Sequence, residues 1–149
     1  MESKIRELKE SSAVITYLEF LQNAIIKMGT NSGNTKALIA VVYTLFITVQ
    51  ITVAEIKCFW WLGILIALIG AVIDAYYLGL EKAYRKKYND FLDKINEGEL
   101  DIKAVYDMNP KSTELKCEML AQTLDAIRSF SVWIYYVILV SITLCLRMI

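Results

Sequence analysis

Five polar side chains recur at helical spacing in one segment and could form an ion pair or a polar lining. They are Asp74, Tyr77, Glu81, Arg85 and Tyr88. At about 100° per residue all of them fall on a single stripe of one helix. Glu81 precedes Arg85 in the order that favours an ion pair within a helix. Asp74 lies inside an apolar run, where a charge in a membrane is unfavourable by roughly 2.5 to 3.5 kcal/mol. This polar stripe is therefore the first candidate for function.

Two interpretations of the polar stripe are open. In the first it forms a subunit interface or a polar lining, with Asp74 hydrogen-bonded to a tyrosine or to Gln50 of another helix. In the second, Asp74 only reaches toward the membrane interface beside an aromatic belt of Tyr76 and Tyr77. The basic residues 85–87 beside it indicate the cytoplasmic side of a membrane more readily than a lipid or nucleotide site.

The residues that catalysis or metal binding would need are not suitably arranged. The chain has no histidine, and its 3 cysteines form no CxxC pair, which removes the usual zinc and haem ligand sets. No serine, cysteine or carboxylate pair has the partners required for nucleophilic or acid–base catalysis. We therefore expect no enzyme, no metal and no cofactor, and we expect the cysteines at positions 58, 117 and 145 to be buried.

The composition is typical of a membrane protein. Hydrophobic residues make up 56% of the 149 residues, and the charged residues lie almost wholly outside three apolar runs. The runs cover residues 37–54, 58–80 and 129–146, and each can cross the hydrocarbon region as a helix. Since only residues 55–57 separate the first two, these should form a tight antiparallel hairpin. The balanced charge does not suggest a nucleic-acid partner.

The distribution of lysine and arginine predicts the orientation. Of the 16 basic residues, all but Lys57 and Arg147 precede the hairpin or lie between the second and third runs. Because basic residues concentrate on the cytoplasmic side, the N-terminus and residues 81–128 should be cytoplasmic and the C-terminus outside.

The cytoplasmic segment 81–128 is predicted to be a helical hairpin. Apolar residues continue at helical spacing from Leu80 to Ile95, so the second span should project as one helix that stops near Gly98. Asn109 and Pro110 can start a second helix, which then runs directly into the third span.

The N-terminal segment 10–28 is predicted to be an amphipathic helix, with apolar residues from Val14 to Met28 on one broad face. It either packs on its own protein or a neighbouring subunit, or lies in the membrane surface, for which its positive charge is low. The polar segment GTNSGNTK, residues 29–36, should break the helix before the first span.

The predicted fold is a single all-α domain, an integral membrane helical bundle. It has three transmembrane helices, and two of them extend into a cytoplasmic stalk. The N-terminal amphipathic helix is an additional helix that can complete this stalk. Small residues in the second span allow close helix approach, within the hairpin or between protomers. They are Gly63, Ala67, Gly70 and Ala71.

Two blocks of the sequence have recognisable patterns. Residues 20–36 contain the pattern LQ-x-x-I-x-x-M-x-x-N-S-x-x-x-K, and residues 74–91 contain D-A-Y-Y-L-x-x-E-x-x-[FY]-R-x-x-Y. In both blocks the chain resembles a family of small bacterial inner-membrane proteins. The match covers about half of the chain. It implies an inner-membrane location and directs attention to Asn31, Ser32 and Lys36, in addition to the polar stripe.

More broadly, the chain resembles the transmembrane effectors and sensors of bacterial anti-phage systems. That resemblance implies a homo-oligomer that forms or gates a membrane lesion when a cytoplasmic signal or a protein encoded nearby arrives. The partners would be the lipid bilayer, further copies of the chain and that cytoplasmic partner. Two alternatives are a membrane anchor that recruits a cytoplasmic enzyme and a small ion-coupled transporter that uses Asp74.

Overall fold

The computed structural model describes residues 11–53, 58–97, 123, 125–127 and 129–148. These residues form three long helices and contain no strand: α1 (Ser12–Thr52), α2 (Trp61–Glu97) and α3 (Phe130–Met148). Each helix is long and apolar enough to cross a membrane. The predicted all-α fold and the three candidate spans are thus confirmed, the third to within two residues at each end.

The first helix runs without interruption through the polar segment that was expected to break it. α1 has 41 residues and is about 60 Å long, so the predicted break at residues 29–36 is wrong. The hydroxyls of Thr30 and Thr35 each donate to a carbonyl one turn earlier, at 2.9 Å. Ser32 and Lys36 contact Asp74 of α2. Because the polar side chains find these partners, packing overrides the weak helix propensity of the segment.

The second helix extends the span as predicted, whereas the entry to the third differs. α2 continues to Glu97 with 37 residues. At Ser129 the chain is not helical: its N–H donates to the Ala126 carbonyl, and its carbonyl accepts the N–H of Val132 and of Trp133. The predicted uninterrupted entry into the third span is therefore wrong at this residue. The connection 55–57 and the helix start at 109–110 lie outside the described residues.

Two apolar cores lie toward opposite ends of the α1–α2 pair. The stalk core consists of Val14, Tyr17, Leu21, Phe91 and Ile95. The span core adds α3 and consists of Ile39, Tyr43, Ala67, Val132, Tyr136 and Leu139. In the stalk core the rings of Tyr17 and Phe91 are 4.7 Å apart. The N-terminal part of α1 thus packs on its own chain, which is the first of the two alternatives for residues 10–28.

The described cysteines are not buried. Cys58 and Cys145 are both exposed, so the expectation of burial is wrong for these two, while Cys117 lies outside the described residues. The ends of the candidate spans carry apolar side chains outward as well as inward, since Phe59 and Leu144 are 45% and 43% exposed. A cysteine there belongs to an apolar surface and not to a protein core.

Glycines of α2 allow the three helices to meet closely. A Cβ at Gly70 would lie 2.7 Å from Cγ1 of Ile39 on α1 and 3.0 Å from Cε1 of Tyr136 on α3. A Cβ at Gly63 would lie 2.7 Å from Cε1 of Phe46 and 2.9 Å from Oγ1 of Thr143. These small residues therefore pack within the chain.

We expect Gly70→Ala to lower the free energy of unfolding by about 2 kcal/mol, because overpacking outweighs the better helix propensity of alanine. Gly33→Ala is the matched control, since a Cβ there meets nothing within 4 Å. It should stabilise the helix by up to about 1 kcal/mol. Thermal unfolding of both variants in detergent measures the difference. Equal changes would contradict the close packing at Gly70.

Candidate functional site

An ion pair between the half-buried Lys36 of α1 and the buried Asp74 of α2 forms the centre of the candidate site. Asp74 is 0% exposed. Its Oδ1 accepts a hydrogen bond from the Ser32 hydroxyl, and its Oδ2 lies 3.1 Å from Nζ of Lys36. Ser32 and Lys36 are one turn apart on α1, so both side chains reach the same carboxylate. Asp74 is buried between helices and does not reach outward, and its partners among the described residues are Ser32 and Lys36, not a tyrosine or Gln50, so both of those expectations are wrong.

The third helix completes the site through Lys36. Nζ of Lys36 lies 3.4 Å from the Ser131 hydroxyl, and the Tyr135 hydroxyl donates to the Lys36 carbonyl at 2.8 Å. One residue of α1 thus contacts both α2 and α3. Sequence reasoning missed Ser131 and Tyr135, because a polar residue near the end of a span is common and does not indicate its partner.

Two more residues of the polar stripe, Glu81 and Tyr88, also face α1. The Tyr88 hydroxyl accepts a hydrogen bond from the Gln22 amide at 3.1 Å. A Cβ at Gly29 would lie 3.2 Å from Oε2 of Glu81, so this glycine makes room for the carboxylate. The stripe predicted as a subunit interface or polar lining is therefore used, at these positions, between two helices of one chain.

Three further predicted residues contribute less to the contact between helices. Arg85 pairs with Glu81 of its own helix at 2.8 Å, and its side chain is 64% exposed. Tyr77 is half-buried and makes an edge-to-face contact with Tyr76, with ring centroids 5.8 Å apart. The carbonyl of Asn31 accepts the Thr35 hydroxyl. The predicted ion pair of Glu81 and Arg85 is confirmed.

Two buried oxygens in this region have no hydrogen bond within the part of the chain that the structure describes. One is Asp74 Oδ2, whose contact with Lys36 has ion-pair distance without hydrogen-bond geometry, and the other is the Tyr136 hydroxyl. Such atoms are usually satisfied, and leaving one unpaired typically raises the free energy by about 1 to 3 kcal/mol. At Asp74 Oδ2 the charge of Lys36 takes the place of a hydrogen bond, so this oxygen depends on that contact for its compensation.

The chemistry open to this site is that of making and breaking a charge contact. Among the described residues there is no group of three metal-ligating side chains. The Asp74 carboxylate is fully buried, whereas the Lys36 side chain is 24% exposed. Lys36 therefore has two possible arrangements, paired with Asp74 or turned toward solvent. Asp74 has no such freedom, because burial requires a partner for its charge.

The two sequence blocks that carry the family resemblance meet at this site. Ser32 and Lys36 belong to the first block, and Asp74 belongs to the second. Contact between them gives a physical reason for both blocks to occur in one chain. The family itself stays a prediction, because comparisons with protein-family models, with curated proteins and with solved structures returned no match to this chain.

Proposed function

We propose that this chain is a non-enzymatic, homo-oligomeric protein of the bacterial inner membrane that serves in anti-phage defence. In this proposal a cytoplasmic signal reaches the stalk, and the spans then form or gate a membrane lesion. The observation that carries the proposal is that α1 and α2 run unbroken from the stalk core to the span core. They are joined between the two cores by the ion pair of Lys36 with the buried Asp74.

This arrangement supports transmission from stalk to span. Bending a packed helix is energetically unfavourable, so a displacement at the stalk core moves α1 and α2 along their whole length. The ion pair lies between the two cores and holds α1 and α2 in register. A signal that binds better to a second arrangement of the stalk would shift the population toward it, and the ion pair sets how much binding energy the shift requires.

The filling of the span core supports the involvement of several copies. Tyr43, Ala67 and Tyr136 are between 1% and 6% exposed at the centre of the three helices. Their packing leaves little room there for a water-filled path through one chain. A lesion would therefore be built between copies, whose outward faces are apolar and compatible with lipid or with another helix.

Asp74→Asn tests the proposal most directly. The neutral amide interacts with Lys36 more weakly than the carboxylate does. If the resting arrangement of the helices is destabilised by about 1.4 kcal/mol, the population of the second arrangement rises about tenfold. We expect the resting ion leak of purified protein in liposomes to rise by about that factor. Asp90→Asn is the matched control, because Asp90 is an exposed carboxylate of the same helix. Liposomes that never leak, even with the genomic neighbours and their products present, would contradict the proposal.

A membrane anchor that recruits a cytoplasmic enzyme is the second candidate. It is favoured by the charged outer surface of the stalk, where Arg85, Asp90, Asp93 and Lys94 are exposed on α2. A stoichiometric soluble partner, together with unchanged function in Asp74→Asn, would select this candidate. Substrate-dependent proton flux that disappears in Asp74→Asn would instead select an ion-coupled transporter.

A further inference from the structure

A small pocket lies at the end of the bundle that is remote from the stalk core. Its volume is about 150 Å³. Side chains from α1 and α3 and the residue before α2 line it, including Phe46, Gln50, Trp60, Thr143, Leu146 and Arg147. It combines a positive charge and an amide with apolar walls, which is the combination that an amphiphilic anion requires.

The charge at this pocket is held in place by an aromatic ring. The guanidinium carbon of Arg147 lies 4.5 Å from the centroid of the Trp60 ring, which is a cation–π distance. Arg147 stands in the last turn of α3 and is exposed. Residues 43–53, 58–67 and 139–148, the described part of this end, contain no aspartate or glutamate. Glu55 is close in sequence and lies outside the described residues.

The inner wall of the pocket offers one further polar group. Gln50 is 7% exposed, and Thr143 is 1% exposed. The Thr143 hydroxyl is already hydrogen-bonded to Tyr43 and to the Leu139 carbonyl. Gln50 already takes part in a contact within the protein, but its amide nitrogen carries two N–H groups, so it can donate one further hydrogen bond to an anion that Arg147 holds.

We propose that this pocket binds the phosphodiester of a phospholipid. The planar guanidinium of Arg147 matches two phosphate oxygens, the Gln50 amide can donate to a third oxygen, and Phe46 and Leu146 cover the glycerol and the first carbons of the acyl chains. An inorganic anion would use only the polar part of such a pocket. The inference rests on the membrane insertion that the proposed function assumes, because the pocket then lies at headgroup level, where arginine and tryptophan are favoured.

Native mass spectrometry of the full chain in detergent tests the site. The probes are phosphatidylglycerol, a diacylglycerol with the same acyl chains and no phosphate, and inorganic phosphate. We expect tight retention of phosphatidylglycerol alone. Arg147→Gln should weaken that retention by tenfold or more, and Arg147→Lys by less, because the charge remains while the planar fork is lost. Lys94→Gln, at an exposed lysine of the stalk, should leave it unchanged.

Several results would overturn this assignment. One is that the Arg147→Gln variant retains phosphatidylglycerol as well as the unchanged chain does. The others are that the unchanged chain retains the diacylglycerol, or binds inorganic phosphate, as tightly as it binds phosphatidylglycerol. Fluorescence of Trp60 in a chain that carries Trp61→Phe and Trp133→Phe locates the binding, since only a lipid at this pocket should shift its emission. Both measurements record binding without any leak, so a failure here is distinguishable from failure of the proposed function.

Discussion

Lys36→Met is expected to lower the free energy of unfolding by about 3 kcal/mol. The variant leaves the Asp74 carboxylate, which is 0% exposed, without its counter-charge. Removing one member of such a pair is more harmful than the pair is stabilising, because the remaining carboxylate keeps the hydrogen bond from Ser32 but has neither water nor a counter-charge. Methionine keeps the length and the apolar stem of lysine, so the change isolates the charge. Unfolding by SDS in mixed micelles measures the effect.

The double variant Lys36→Met with Asp74→Asn is the control for this prediction. It removes both charges while the Asn side-chain oxygen can still accept the Ser32 hydroxyl. We expect it to recover more than half of the stability lost by Lys36→Met, with a coupling energy of about 1 to 3 kcal/mol in the mutant cycle. Additive effects of the two substitutions would show that Lys36 and Asp74 do not act as a pair.

Asp74→Asn alone should be milder than Lys36→Met. The Lys36 side chain is 24% exposed and can turn its ammonium to solvent when the carboxylate is gone. The buried Asp74 carboxylate cannot turn to solvent in the same way when Lys36 is replaced. This asymmetry is why Asp74→Asn is suited to measuring leak in an intact protein, whereas Lys36→Met is suited to measuring stability.

Sequence periodicity predicted the face of Asp74 correctly and its partner wrongly. Spacing along one helix shows which residues share a face, as Asp74, Glu81 and Tyr88 do. It contains no information on the helix that covers the face. The spacing of Ser32 and Lys36, one turn apart, was an available signal, but the predicted break at residues 29–36 concealed it. Once that segment is helical, both side chains point the same way.

The three helices that are long and apolar enough to span a membrane were predictable for a different reason. Length and apolar content follow from the sequence directly, and the helical spacing up to Ile95 predicted the extension of α2 to Glu97. The break in α1 was predicted from the local propensity of Gly29 and Gly33. Local propensity amounts to about 1 kcal/mol per glycine, and the packing of Ser32 and Lys36 against Asp74 outweighs it. Contacts with distant residues decide such cases.

Leu21→Ala is expected to destabilise the stalk by about 3 kcal/mol. Leu21 is 1% exposed and lies in the stalk core with Tyr17 and Phe91, so truncation leaves a cavity that α1 and α2 cannot easily close. Phe20→Ala is the matched control. Phe20 is the adjacent residue, is larger and is 47% exposed, and its truncation should change stability by less than about 0.5 kcal/mol.

Hydrogen exchange locates the effect of Leu21→Ala within the chain. Amides of α1 before Gly29 should lose protection, because local opening follows the loss of local packing, whereas amides around Tyr43 in the span core should keep theirs. If Phe20→Ala were the more damaging of the two changes, the N-terminal part of α1 would bury its other face, as a helix on the membrane surface could.

Because the stalk transmits the signal in our proposal, Leu21→Ala should also reduce signal-dependent leak without raising the resting leak. A resting leak as high as that of Asp74→Asn would mean that the stalk core holds the spans closed by itself.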